Sequence, residues 1–142
     1  MRVPRAAAIM GLADGTTTGI GLSLALFIAH QPHLAVWLAG LSGGLAAFPG
    51  MASGRYQSDP GDGIGGAAVC GGATTAGAVL VALPFAVAAG RAALVAAGLV
   101  TLVLCAAVAV IREQAGWQAW ALSYGITAAA AGLCIGAGLV TG

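Results

Sequence analysis

Five apolar stretches, each of 20 residues or more, take up most of this 142-residue chain. Each meets the ~20 residues that an α-helix needs to cross ~30 Å of hydrocarbon. They cover about 6–29, 34–54, 65–89, 92–111 and 117–140. None alternates apolar and polar residues, and each is longer than the ~10 residues of a membrane β-strand, so helices are expected rather than a barrel. Polar breaks separate them: His30-Gln31-Pro32-His33, Arg55 to Asp62, Gly90-Arg91 and Arg112-Glu113-Gln114. The predicted fold class is an all-α integral membrane protein, with five transmembrane helices forming one domain over 1–142.

Composition closes the alternatives. Hydrophobic residues make up 60% of the chain, and the charged side chains are five Arg and four Asp/Glu, with no Lys. A water-soluble surface needs about a quarter or more of its residues charged, which this chain cannot supply. Disorder requires low hydrophobicity and high net charge. A net charge of +1 offers nucleic acid no electrostatic footing. The sequence holds no Ser/His/Asp or Cys/His set, phosphate loop or CxxC pair, so neither an enzyme nor a permanently bound cofactor is expected. The partner it demands is the lipid bilayer.

The arginines predict the orientation. With the N-terminus in the cytoplasm, Arg2, Arg5, Arg55 and Arg112 lie inside and Arg91 outside, as the positive-inside rule asks. Five spans then put the C-terminus outside, along with the His30–His33 turn. The first stretch is longer than the ~7–15 residues of a signal-peptide core and carries Asp14, so it is read as retained. A lysine-free, alanine-rich chain suggests a prokaryotic plasma membrane.

Asp14 is the carboxylate inside a predicted span, where a charge costs at least ~2.5–3.5 kcal/mol. It fits either a cation or proton site, or an ion pair near a helix end. Around it runs Gly11-Leu12-Ala13-Asp14-Gly15-Thr16-Thr17-Thr18-Gly19. Gly11, Gly15 and Gly19 form a doubled GxxxG ridge that admits a second helix closely. Asp14 borders the ridge, one residue or about 100° from Gly15. Met10, Thr17 and Thr18, four residues before and three and four after, share the face of Asp14. Two copies pairing across this ridge would bring two Asp14 carboxylates together, and a cation or a shared proton would relieve their repulsion.

The second stretch ends Phe48-Pro49-Gly50-Met51-Ala52-Ser53-Gly54-Arg55-Tyr56-Gln57-Ser58. Pro49 removes a backbone hydrogen bond and predicts a kink. Met51 falls at a depth similar to Asp14. A thioether beside a carboxylate suits a borderline divalent metal such as Fe2+; taken alone, Met51 also suits ordinary packing. Arg55 reads as a cytoplasmic anchor, with Asp14 or Asp59 as a salt-bridge partner.

Together these two segments resemble the vacuolar iron transporter (VIT) family. The family's first helix carries a Gly-Leu-x-Asp-Gly-x-x-Thr-Thr-like pattern, matched by Gly11 to Thr18. Its second helix ends in a pattern like Ser-Met-Ala-x-Gly-Glu-Tyr-x-Ser, matched by Gly50 to Ser58. Pro84 falls near the end of the third span, where the family commonly has proline. The resemblance implies a five-helix homodimer with the first helices at its interface, through Gly11, Gly15 and Gly19. It implies export of Fe2+ or a similar divalent cation such as Mn2+ from the cytosol, exchanged for protons. Asp14 and Met51 would then be metal ligands, with Thr17, Thr18 and Met10 as further candidates along the path. Two features depart from the pattern: Arg55 replaces the motif glutamate, and Tyr56–Ile64 replaces a glutamate-rich helical insertion.

The other polar features have simpler readings. Asp59-Pro60-Gly61-Asp62-Gly63 reads as a turn, since it lacks the glutamate that closes an EF-hand loop. His30 and His33 suit an interfacial turn, or a point of metal or proton release. Trp117, Trp120 and Tyr124 suit a headgroup belt. Cys70, Cys105 and Cys134, odd in number and far apart, suit packing. Thr74, Thr75 and Ser123 can bond back to their own helices. Two other functions fit the same residues: a non-transporting membrane scaffold or accessory subunit, and a proton or monovalent-cation pathway using Asp14 alone.

Overall fold

The structure, a computed structural model, describes residues 5–111 and 117–141. Arg2 and Arg112, part of the orientation argument, lie outside the described residues. Among the described residues six helices follow in order: α1 (Arg5–Ile28), α2 (His33–Ser58), α3 (Gly63–Ala82), α4 (Pro84–Val87), α5 (Gly90–Ile111) and α6 (Trp117–Thr141). A single 3-10 turn, Pro60–Asp62, joins α2 to α3. Five segments are long and apolar enough to cross a membrane, α3 and α4 together forming the third.

Two boundaries differ from expectation, both because of proline. The second span does not stop at Arg55; α2 carries Pro49 within it and continues to Ser58. The chain leaves helical geometry at Asp59 (φ −141°, ψ 78°), where the ring of Pro60 disfavours the helical region for the residue before it. The third span is not one unbroken helix. Pro84 has no N–H for the carbonyl of Leu80, so α3 closes at Ala82 and Pro84 opens α4, at a position where proline fits.

The helix α3 is the centre of the bundle. Half of the most apolar part of the third span, Pro60–Val87, is buried, against 11% of Trp120–Ala137 in α6 at the periphery. It runs parallel to α1, with Gly11, Gly15 and Gly19 meeting Cys70, Thr74 and Ala78 in turn. It runs antiparallel to α2, with Gly40 against Ala82 and Gly71 against Phe48 and Ala52. A Cβ at Gly11 or Gly15 would fall onto the carbonyls of Cys70 and Thr74; at Gly19 it would lie 3.0 Å from the Ala78 Cα. The glycine ridge of α1 is thus filled by α3 of the same chain. This corrects the expectation that Gly11, Gly15 and Gly19 would meet a second copy: the ridge has no room left for one.

Ile20, Val36, Val81, Phe85, Ala93 and Ala97 form the buried apolar cluster at the end where α4 lies. The large side chains on the outside, such as Leu38, Leu99, Val103 and Leu133, are exposed, as lipid allows and water would not. Thr16, Thr74 and Thr101 are buried and donate to carbonyls one turn earlier, at 2.7, 3.0 and 2.9 Å. That satisfies each hydroxyl in a medium without water.

Candidate cation site around Asp14

With the Gly11–Gly15–Gly19 face turned inward on α3, the neighbouring face of α1 is turned out. Met10, Asp14 and Thr18, four residues apart, are all exposed and form one stripe along the outside of α1. Thr17 does not belong to it. It lines a small cavity of about 40 Å³ between α1, α5 and α6, together with Thr16, Cys105, Ser123 and Thr127. The structure therefore keeps Met10 and Thr18 with Asp14 and separates Thr17 from them.

Met51 is half-buried on α2. A Cβ at Gly43 would lie 3.6 Å from Leu22 Cδ2, which sets the register between α1 and α2. Asp14 is eight residues before Leu22, and Met51 is eight residues after Gly43 on an antiparallel helix. Both are therefore ~12 Å from that contact in the same direction. They share a level. Among the described residues, no three His, Cys, Asp or Glu side chains gather into a metal-binding group.

Arg55 does not reach toward Asp14. Its Nε donates to Asp62 Oδ2 at 3.0 Å, and its Nη2 donates to Asp59 Oδ2 at 3.0 Å and also to Asp62 Oδ2. The link to Asp59 is the expected one, and Asp62 is the partner that spacing did not reveal. The 3-10 turn brings Asp62 back over the end of α2, so both carboxylates of the 59–63 turn hold one guanidinium.

The small cavity beside Thr17 also holds Thr127, which sequence reading passed over. Cys105 Sγ lies 3.4 Å from Thr127 Oγ1, and Thr127 donates to the Ser123 carbonyl at 2.9 Å. Ser123 Oγ is buried without a hydrogen-bond partner, so its expected bond back to its own helix is not made. The four-residue spacing of Ser123 and Thr127 was the available signal. The three cysteines are free thiols; Cys134 packs its sulfur against Gly21, where a Cβ would come within 2.8 Å of it. Trp120 stacks on Tyr124 with ring centroids 6.0 Å apart, and the Tyr124 hydroxyl donates to the Leu102 carbonyl at 3.2 Å.

The class that these observations define is an all-helical, multi-pass membrane protein, with a carboxylate exposed on the outer face of its first span. No protein-family model, curated protein or solved structure matches the chain.

Proposed function

We propose that this protein is a homodimeric transporter of Fe2+ or a similar divalent cation such as Mn2+. It would move the ion out of the cytosol in exchange for protons, with Asp14 and Met51 as ligands. The observation that carries this reading is the position of Asp14: a carboxylate on the outer surface of an apolar span, in line with Met10 and Thr18. Left against lipid, that carboxylate costs at least ~2.5–3.5 kcal/mol. A second copy packed over the Met10–Asp14–Thr18 stripe removes it from lipid and sets two carboxylates across the dimer axis. A divalent cation between them neutralises both, and protons replace the cation when it leaves. The interface proposed is this stripe rather than the glycine ridge.

Met51, level with Asp14, adds a thioether from each copy, a softer donor that suits Fe2+ better than Mg2+ or Ca2+. Arg55, in the place of the family's glutamate, is neutralised by Asp59 and Asp62, so its charge is not turned on an approaching cation. A scaffold or accessory subunit without transport is the second reading. It fits the finding that, among the described residues, no three His, Cys, Asp or Glu side chains gather in one chain.

The test is Fe2+ flux into proteoliposomes that enclose a pH dye, with Asp14→Asn as the control. The expected result is metal entry with opposing proton movement, lost in Asp14→Asn while the dimer persists. Proton movement without metal would replace this reading with a pathway through Asp14 alone. No flux from correctly assembled dimer would leave the scaffold.

A further inference from the structure

The end of the bundle opposite Arg55, Asp59 and Asp62 carries a cleft of about 390 Å³ that is independent of the Asp14 site. The α1–α2 turn brings His30, Gln31 and His33 to its rim, and the start of α5 brings Arg91. Phe27, Val36 and Phe85 line the rest of it, the last two almost wholly buried. One end of the cleft is therefore polar and basic and the other apolar. Its volume falls within the usual range for small-molecule sites.

The charged side chain at the rim is Arg91, and no acid lines the cleft. Arg91 has no acidic partner among the described residues, and Asp14, Asp59 and Asp62 do not line the cleft. The helices α2 and α5 begin there at His33 and Gly90, beside the ends of α1 and α4 at Ile28 and Val87, so the helix dipoles offset one another and the positive charge of the rim is that of Arg91. Gly90 has a φ of +61°, a turn that glycine makes without strain. Arg91 makes this a poor exit site for a metal cation, which the two histidines by themselves would have allowed.

We propose that this cleft binds the headgroup of an anionic phospholipid. The phosphate sits on the Arg91 guanidinium, with N–H donors from His30 and His33, and the upper acyl chain lies along Phe27, over the apolar floor that Val36 and Phe85 back. The lipid is the occupant because the cleft lies where membrane-length helices end, at the level of the headgroups, and because a free anion would leave the apolar half unfilled.

His30 supplies a variant that does not risk the fold. It ends α1 with φ +54°, donating its N–H to the Phe27 carbonyl while Gln31 donates to Leu26. That is a helix-ending motif in which glycine is the unstrained choice. His30→Gly therefore removes an imidazole and relieves the backbone at the same time.

The experiment is native mass spectrometry of the detergent-purified protein with phosphatidylglycerol, chain-matched phosphatidylcholine, or inorganic phosphate. Phosphatidylglycerol adducts are expected to exceed phosphatidylcholine adducts about fivefold, the worth of one arginine at a lipid surface. Arg91→Gln should bring the two lipids level and Arg91→Lys should keep most of the preference, while His30→Gly should weaken phosphatidylglycerol retention in a protein at least as heat-stable. Equal retention of both lipids by the unaltered protein, or an unchanged preference in Arg91→Gln, would overturn the proposal. So would inorganic phosphate that displaces phosphatidylglycerol, since the site would then serve a free anion.

Discussion

Thr75 Oγ1 donates to the Gly44 carbonyl at 2.8 Å, tying α3 to α2 across 31 positions of sequence. The same hydroxyl lies 3.2 Å from the Gly71 carbonyl of its own helix. A threonine that only bonded back to its own helix would do nothing for the tertiary fold; this one also ties two spans together. Thr75→Val keeps the shape and removes the donor, so it is expected to destabilise the bundle by about 0.5–1.5 kcal/mol. Thr75→Ser should restore most of that loss. Reversible unfolding in mixed micelles checks both.

The glycine ridge of α1 predicts a sharp contrast between two similar changes. Gly15→Ala drives a methyl into the Thr74 carbonyl and should cost about 1–3 kcal/mol through overpacking. Gly50→Ala, inside α2 with nothing within 4 Å of the new carbon, should be neutral or stabilise by up to about 1 kcal/mol. Thermal unfolding of the two variants side by side tests the assignment of α3 as the partner of this ridge.

Cysteine cross-linking tests the proposed dimer face. In a background with Cys70, Cys105 and Cys134 replaced by alanine, Thr18→Cys should oxidise to a covalent dimer, because Thr18 is exposed on the Asp14 stripe. Thr17→Cys, which points into the cavity between α1, α5 and α6, should not. A disulfide requires Cα atoms within about 7 Å, so the contrast reads geometry and not mere encounter in the bilayer.

The ion pairs of Arg55 predict a salt-sensitive loss. Arg55→Gln should lower stability by about 1 kcal/mol or less at low ionic strength, with the gap to the unaltered protein narrowing as salt is added. Placing a glutamate at this position with Arg55→Glu is the less informative change. It would leave three carboxylates around one turn, and these could attract divalent cations whether or not a transport path exists.

Much of the architecture was legible before any coordinates. The lengths of the apolar stretches, the polar turn at His30–His33 and the near absence of charge dictate membrane-spanning helices, because hydrocarbon admits few other ways to satisfy a backbone. Pro60 and Pro84 mattered in ways that apolar length does not register. The first let α2 run past Arg55, and the second split the third span. The 3.6-residue period also placed Met10 and Thr18 with Asp14 and could not separate Thr17, because three-residue and four-residue neighbours diverge only when something packs between them.

What only the tertiary structure decided is which neighbour each face receives. A glycine ridge states that some backbone comes close; it is equally suited to a second copy or to another span of the same chain. Packing chose α3, and that choice turned Asp14 outward. Similarly, Arg55 had an acid four residues away in sequence, while Asp62 reached it only through a folded turn. Arg91 and the two histidines, 58 or more positions apart, became one basic rim because two helices begin at the same end of the bundle. Local composition determines which segments enter the membrane, whereas the charge and shape of a site arise from side chains that the chain supplies far apart and packing brings together.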